Sequence, residues 1–189
     1  MNLRAILNAF ILVTALTLVG TGGGSAASAA QPKLPEYVQR LQDAYGPPGE
    51  QGFGSAVFHT TLRHEASLAA AALEFYRRFV GSKWQQFGEQ AWMQPWHEVY
   101  ERKTGASRDI VTELRAIEDG EVRNSVPMIL EVVEDSVAAR AALSAAFDAP
   151  QVTELRVFNL GDGGALSGLL VAGRREPAGE VVVLVFLMD

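Results

Sequence analysis

"VVVLVFLM", Val181–Met188, contains no polar residue. Its length and β-branched content mark it as a strand, and a strand apolar on both sides is normally covered on both sides. The two runs before it extend the pattern. "VTELRVFN" (Val152–Asn159) alternates, with Thr153, Leu155 and Val157 facing one way and Glu154 and Arg156 the other, as in a strand with one wet face. "ALSGLLVAGRR" (Ala165–Arg175) reads as a further strand, and "EPAGE" supplies the turn into Val181–Met188. A three-strand meander of this order leaves its last strand on an edge, where exposed apolar backbone invites aggregation. Ala56–Leu62 as a fourth strand, a second copy of the chain in a homodimer through Val181–Met188, or a covering helix would each resolve this. The fourth strand is the preferred expectation.

Between the first two runs lies "FNLGDGGALSG", Phe158–Gly168. A dinucleotide fingerprint needs Gly-x-Gly-x-x-Gly after a strand and opening a helix. Counting from Gly161, the sixth position is Leu166, and a strand follows. A phosphate-binding Gly-Lys-Ser/Thr is ruled out because no lysine occurs beyond Lys103. Asp162–Gly163 is instead a hairpin turn dipeptide. Gly168, inside the next strand, signals a bulge or close backbone packing.

Upstream the texture is helical. In "LPEYVQRLQDAY" Leu34, Tyr37, Val38, Leu41, Ala44 and Tyr45 recur at helical spacing, and "PPGEQGFG" (Pro47–Gly54) follows as a loop. From His64 to Val80, Leu68, Ala72, Phe75, Tyr76, Phe79 and Val80 form one helix face, stopped by Gly81. Ser82 and Gln85 match a capping box for a helix carrying Trp84, Phe87, Ala91 and Trp92. Pro95 breaks it, and Trp96–Lys103 is expected to resume as a second helical segment. "SRDIVTELRAIEDG" reads as a helix capped by Ser107, with Ile110, Val111, Leu114 and Ile117 inward. "SVPMILEVVEDSVAARAALSAAFDAP" reads as two helices from Ser125, jointed at Asp135–Ser136, in preference to a strand and a helix. The expected class is α+β: an N-terminal layer of four to six helices on a C-terminal antiparallel sheet of three strands, or four with Ala56–Leu62. Residues 31–54 form an N-terminal helix and flexible Pro/Gly loop, and residues 55–189 one globular domain.

Residues 1–30 have the layout of a cleaved secretory signal peptide. Arg4 precedes the uncharged run Ala5–Val19, and small residues follow at Ala27–Ala30. The run is shorter than the roughly 20 apolar residues of a membrane span, so no membrane association is expected after cleavage. The expected location is periplasmic or secreted. The chain has no cysteine, which excludes disulfides, thiolate metal sites and a cysteine nucleophile. Its net charge of −6 and scattered arginines argue against nucleic acid, which requires concentrated positive charge.

Catalytic signatures are absent. His64–Glu65 and His97–Glu98 begin a zinc-helix motif, but Leu68 and Glu101 stand where the second histidine belongs. No metal and no cofactor is expected. No nucleophile elbow or Ser-x-x-Lys occurs. The least ordinary feature is aromatic: Trp84, Phe87, Trp92, Trp96 and Tyr100, with His97 among them. Indoles favour binding surfaces as well as cores. The sequence therefore points to a non-catalytic binding or interaction protein, with Trp92, Trp96, His97 and Tyr100 as ligand-binding residues and a small apolar ligand or a protein as partner. The alternative is a periplasmic enzyme using His97 with Glu98 or Glu101 as acid–base group.

Overall fold

In a computed structural model that describes residues 33–189, the last strand, β5 (Glu180–Met188), lies between two others and is covered on both faces. Residues Leu34–Asp189 make one compact unit. In chain order it contains α1 (Glu36–Tyr45), β1 (Gly54–Thr61), α2 (Leu68–Val80), α3 (Ser82–Phe87), α4 (Glu89–Met93), β2 (His97–Glu101), α5 (Ile110–Arg115), α6 (Gly120–Leu130), α7 (Ser136–Phe147), β3 (Val152–Gly161), β4 (Ser167–Arg175) and β5. The proposed signal segment lies outside the described residues.

The class is α+β, with one five-stranded antiparallel sheet in the order β1-β5-β4-β3-β2. The C-terminal meander forms as expected. The preferred fourth strand is also present, with Ala56 opposite Val185 and Phe58 opposite Val183. Both edges of Val181–Met188 are thereby occupied within the chain, so that strand offers no edge to a second copy.

Two expectations are corrected. The sheet has five strands, because His97–Glu101 is the edge strand β2 where a helical segment was expected. Nor do the helices form one N-terminal layer. Alternate residues of β5 enter two separate cores: Val182 and Leu184 pack with α1, α5, α6 and α7, whereas Val181, Val183, Val185 and Leu187 pack with α2 and Trp92. The two apolar faces of the central strands require a helical layer on each side. The helices following β1 cover one face and carry the chain to the far edge. Those following β2 cover the other face, together with α1.

Local signals explain the helix limits. Ser67 caps α2 through the Ala70 amide. Asp109 caps α5 in place of Ser107, accepting from the Thr112 amide at 3.0 Å. α6 begins at Asp119–Gly120, upstream of the expected Ser125, since Asp119 accepts from the amides of Glu121 and Val122. Ser125 is thus inside the helix and buried. The joint at Asp135–Ser136 is retained, with Asp135 capping α7. The capping box at Ser82 is not formed, since the Ser82 amide goes to Glu50 at 2.7 Å.

Beyond β2, Arg102 ties the edge to the helical layer. It makes a two-pronged pair with Glu113 on α5 (2.7 and 2.5 Å), and also reaches Asp148 and the Phe147 carbonyl after α7. Burial works against its charge, but these partners outweigh it and hold the guanidinium above its ordinary pKa.

Candidate functional site

Pro95 ends the chain's passage over the aromatic face, and the strand after it deals consecutive residues to opposite sides of the sheet. Trp96 turns to the α2 face, stacking on Phe158 at 4.5 Å and beneath Tyr76 at 5.7 Å. His97 pairs with Asn159 of β3 and takes the α6 face. A bulge follows, placing Glu98 opposite Phe158 and Tyr100 opposite Val157, so that Val99 and Tyr100 both lie against the α5–α7 core. Glu98 and Glu101 fall on the other face, where both bond Arg156, at 2.8 and 3.1 Å.

The four residues expected to form a ligand site are therefore dispersed. Trp92 is 0% exposed within the α2 core, with its indole N–H donating to the Lys83 carbonyl. Trp96 is partly buried against the same core and Tyr100 against the opposite one. Trp84 stacks on Trp92, and Tyr76 meets both edge-on. The Tyr76 hydroxyl donates to the Gly161 carbonyl at 2.9 Å. The indoles fill this face, and the three main depressions of the described residues are lined by other side chains. Of the four, His97 alone lines one of these three.

That cavity is a polar cleft of about 540 Å³ at the end of the sheet. Its walls are Gln94 and Pro95, His97, the first turn of α6 with Asp119, Glu121 and Asn124, Asn159, and the hairpin turn from Gly163 to Ser167. The hairpin closes one side because its own carboxylate organises it. Asp162 Oδ1 accepts from the amides of Gly164 (2.8 Å) and Leu166 (3.0 Å). Gly163 takes φ +72°, which its lack of a side chain permits. Because Asp162 occupies those two amides, the turn does not present them to an external anion. Gly168 is a close-packing glycine, since a Cβ there would lie 2.0 Å from the Phe186 carbonyl oxygen.

The Pro95 carbonyl is the hub of the cleft. It accepts from His97 Nδ1 at 2.8 Å and from Asn159 Nδ2 at 3.1 Å. The other ring nitrogen of His97 faces Asp119 Oδ2 at 3.0 Å. Both partners of the imidazole only accept, so the ring satisfies them by carrying a proton on each nitrogen. Burial disfavours this charge. The hydrogen bonds to Asp119 and Pro95 and the charges of Asp119 and Glu121 outweigh burial and raise His97 above its ordinary value. Partial burial similarly opposes ionisation of Asp119, but the amides of Val122 and Glu121 and the His97 ring hold its pKa below the ordinary value.

Asn159 is 0% exposed. Its Nδ2 donates to Glu121 Oε2 at 2.6 Å and to Pro95, two acceptors that fix the orientation of the amide. Its Oδ1 has no hydrogen-bond partner. Asn159, Asp119 and Glu121 were not anticipated as site residues. Asn159 was open to detection: it continues the row of Leu155 and Val157, where the strand pattern calls for an apolar side chain. Asp119 and Glu121 resembled an ordinary helix start, and Asp119 does cap α6.

Two further depressions have less chemistry. One of about 480 Å³, between α1 and α7, is lined mainly by alanines and rim charges, and none of the buried unpartnered atoms belongs to it. The other, about 360 Å³, holds internal pairs, Arg175 over the Tyr37 ring at 3.8 Å and the Tyr37 hydroxyl on Glu180 at 2.8 Å, and one buried nitrogen without a partner, Arg175 Nη1. No cluster of three His, Asp or Glu able to hold a metal occurs among the described residues. No helix among them is long and apolar enough to cross a membrane. No protein family, no curated protein and no solved structure matches this chain.

Proposed function

We propose that this chain is an exported, non-catalytic binding protein that takes a small polar ligand in the cleft between β2, α6 and the β3–β4 hairpin. The observation that carries the reading is Asn159, a fully buried amide at the cleft floor whose carbonyl oxygen has no partner. Such an atom loses its hydration without compensation, which costs about 1–3 kcal/mol. A protein optimised for packing alone places an apolar residue at that position.

The cleft also favours binding over acid–base chemistry. A general base needs a nitrogen lone pair directed at the substrate, and both nitrogens of His97 are engaged with acceptors. The carboxylates first paired with it, Glu98 and Glu101, are bonded to Arg156 on the other face. Ser167 lines the same cleft, but His97 has no free nitrogen to take its proton.

The test is a thermal-shift screen of the purified protein against water-soluble amines, carboxylates and polyols, with an apolar naphthalene dye as contrast. Stabilisation by a polar solute that disappears in Asn159→Leu is the expected result. Saturable binding of the dye, with no response to any polar solute, would overturn the reading in favour of an apolar site. Consumption of a stabilising solute that stops in His97→Ala would establish the enzyme instead.

A further inference from the structure

Once the internal bonds of the cleft are assigned, its one buried group left without a partner is an acceptor. The cleft's cation, His97, has both N–H groups engaged, one on Pro95 and one on Asp119. The amide hydrogens of Asn159 go to Glu121 and Pro95. The hairpin amides of Gly164 and Leu166 go to Asp162. Gln94, Asn124 and Ser167 add neutral side chains that can donate or accept. The buried group that remains unpaired is an acceptor, Asn159 Oδ1, beside Glu121, whose first oxygen holds Asn159 and whose second is free. With Asp119 and Glu121 against one protonated imidazole, the cleft has an excess negative charge.

We propose that the ligand of this cleft carries a primary ammonium group. Ammonium donates three hydrogen bonds and accepts none, so it supplies what Glu121 and Asn159 lack and neutralises the excess charge. A carboxylate or phosphate meets neutral donors on Gln94, Asn124 and Ser167 but no unengaged cation, and is repelled by Glu121. Asn159 Oδ1 is buried, so a ligand reaches it by displacing side chains of the cleft wall, among which Glu121 is exposed and Ser167 partly buried. Moving either leaves in place the cap of α6, which depends on Asp119. The inference rests on the cleft being the ligand site and adds the chemical class.

It is tested by titrating the ¹⁵N-labelled protein in 150 mM salt with 1,4-diaminobutane, glutarate and mannitol in separate experiments. Salt at about this strength screens diffuse attraction of cations to an acidic surface. The expected result is saturable movement of the amides of Glu121, Asn159 and Gly163–Ser167 with the diamine alone. Glu121→Gln, a surface change that leaves the fold intact, is expected to weaken the diamine about tenfold or more. Undiminished binding by Glu121→Gln, or diamine shifts scattered away from the cleft, overturns the ammonium assignment. Cleft shifts with glutarate or mannitol and none with the diamine also overturn it, while leaving the cleft as a binding site. Silence with all three overturns it too, and the broader thermal-shift screen then decides the cleft reading by itself.

Discussion

The two faces of the sheet are covered by different chemistry. Over one, α2–α4 pack Tyr76, Trp84 and Trp92 with Trp96 and Phe158 in a connected set of stacked and edge-on rings. The polar tips of Tyr76 and Trp92 end on main-chain carbonyls. Over the other, α1 and α5–α7 pack mainly aliphatic side chains, with Tyr45 and Phe147 among them, and there Asn159 and Ser125 come inside with polar atoms unpaired. The aromatic cluster is filled and its polar tips are satisfied, and among the described residues the one unpaired buried atom on that face is Arg174 Nε, near the start of α2. The aliphatic face is neither filled nor satisfied at its β2 end. Aromatic density is conspicuous in a sequence, yet here it marks packing. Unsatisfied polarity is the better guide to a site, since it reports a cost that packing leaves uncompensated.

The largest effect that would sharpen this contrast is at Trp92. Trp92→Ala removes a fully buried indole from between Tyr76 and Trp84 and is expected to lower unfolding free energy by about 4 kcal/mol, a large share of a domain's total. Urea denaturation followed by circular dichroism measures it. If the aromatic face is packing only, the surviving folded fraction keeps the diamine response of the cleft. A loss below about 1 kcal/mol would place Trp92 outside the core and end the comparison.

Asn159→Leu works in the opposite direction. The substitution removes the orphan oxygen. It frees only Glu121, which is exposed and can turn to water, and Pro95, which keeps His97. Stability is expected to be unchanged or to rise by about 1 kcal/mol, read as a higher urea midpoint, while the cleft stops responding to the diamine. A loss of more than about 2 kcal/mol would instead assign Asn159 a structural role, for example around a trapped water.

Much of the fold was legible because its signals are local. The meander, the pairing of Ala56–Leu62, the Asp162–Gly163 turn and the α6–α7 joint each rest on a few adjacent residues. The sheet order and the second helical layer were not legible, although the apolar β5 demanded cover on both faces. Choosing which helices supply it takes the tertiary fold. β2 was misread because its bulge puts Val99 and Tyr100 on one side, which removes the strand alternation and leaves a spacing that also suits a helix. That error displaced His97 from its partner. On a helix it falls beside Glu101, whereas on the strand it faces Asp119, 22 residues away in sequence. Asn159 and Glu121, 38 positions apart, meet only once β3 and α6 are packed.

The smallest effect, the pH response of the His97–Asp119 pair, tests that placement directly. His97 is raised above its ordinary 6.5, so its contribution is complete below about 6.5 and is lost as pH rises through the folded value. Asp119 is lowered below its ordinary 3.8, so its contribution is present above about 3.8 and is lost as pH falls through the folded value. The pair therefore stabilises most between these limits. His59 has the opposite sign: burial lowers it, against the nearby Glu180, so it costs stability as pH falls below about 6.5. A single wild-type pH profile mixes the two histidines, and the difference between wild type and His97→Gln separates them. That difference is expected to stay under about 1 kcal/mol, because the His97 side chain is 52% exposed and solvent screens the pair. It should be largest between the ordinary values of the two groups and fade as pH rises through the folded value of His97. A difference that grows toward alkaline pH would mean that the neutral ring is the stabilised form. His97 would then have a lone pair to offer, and the acid–base reading would regain its footing.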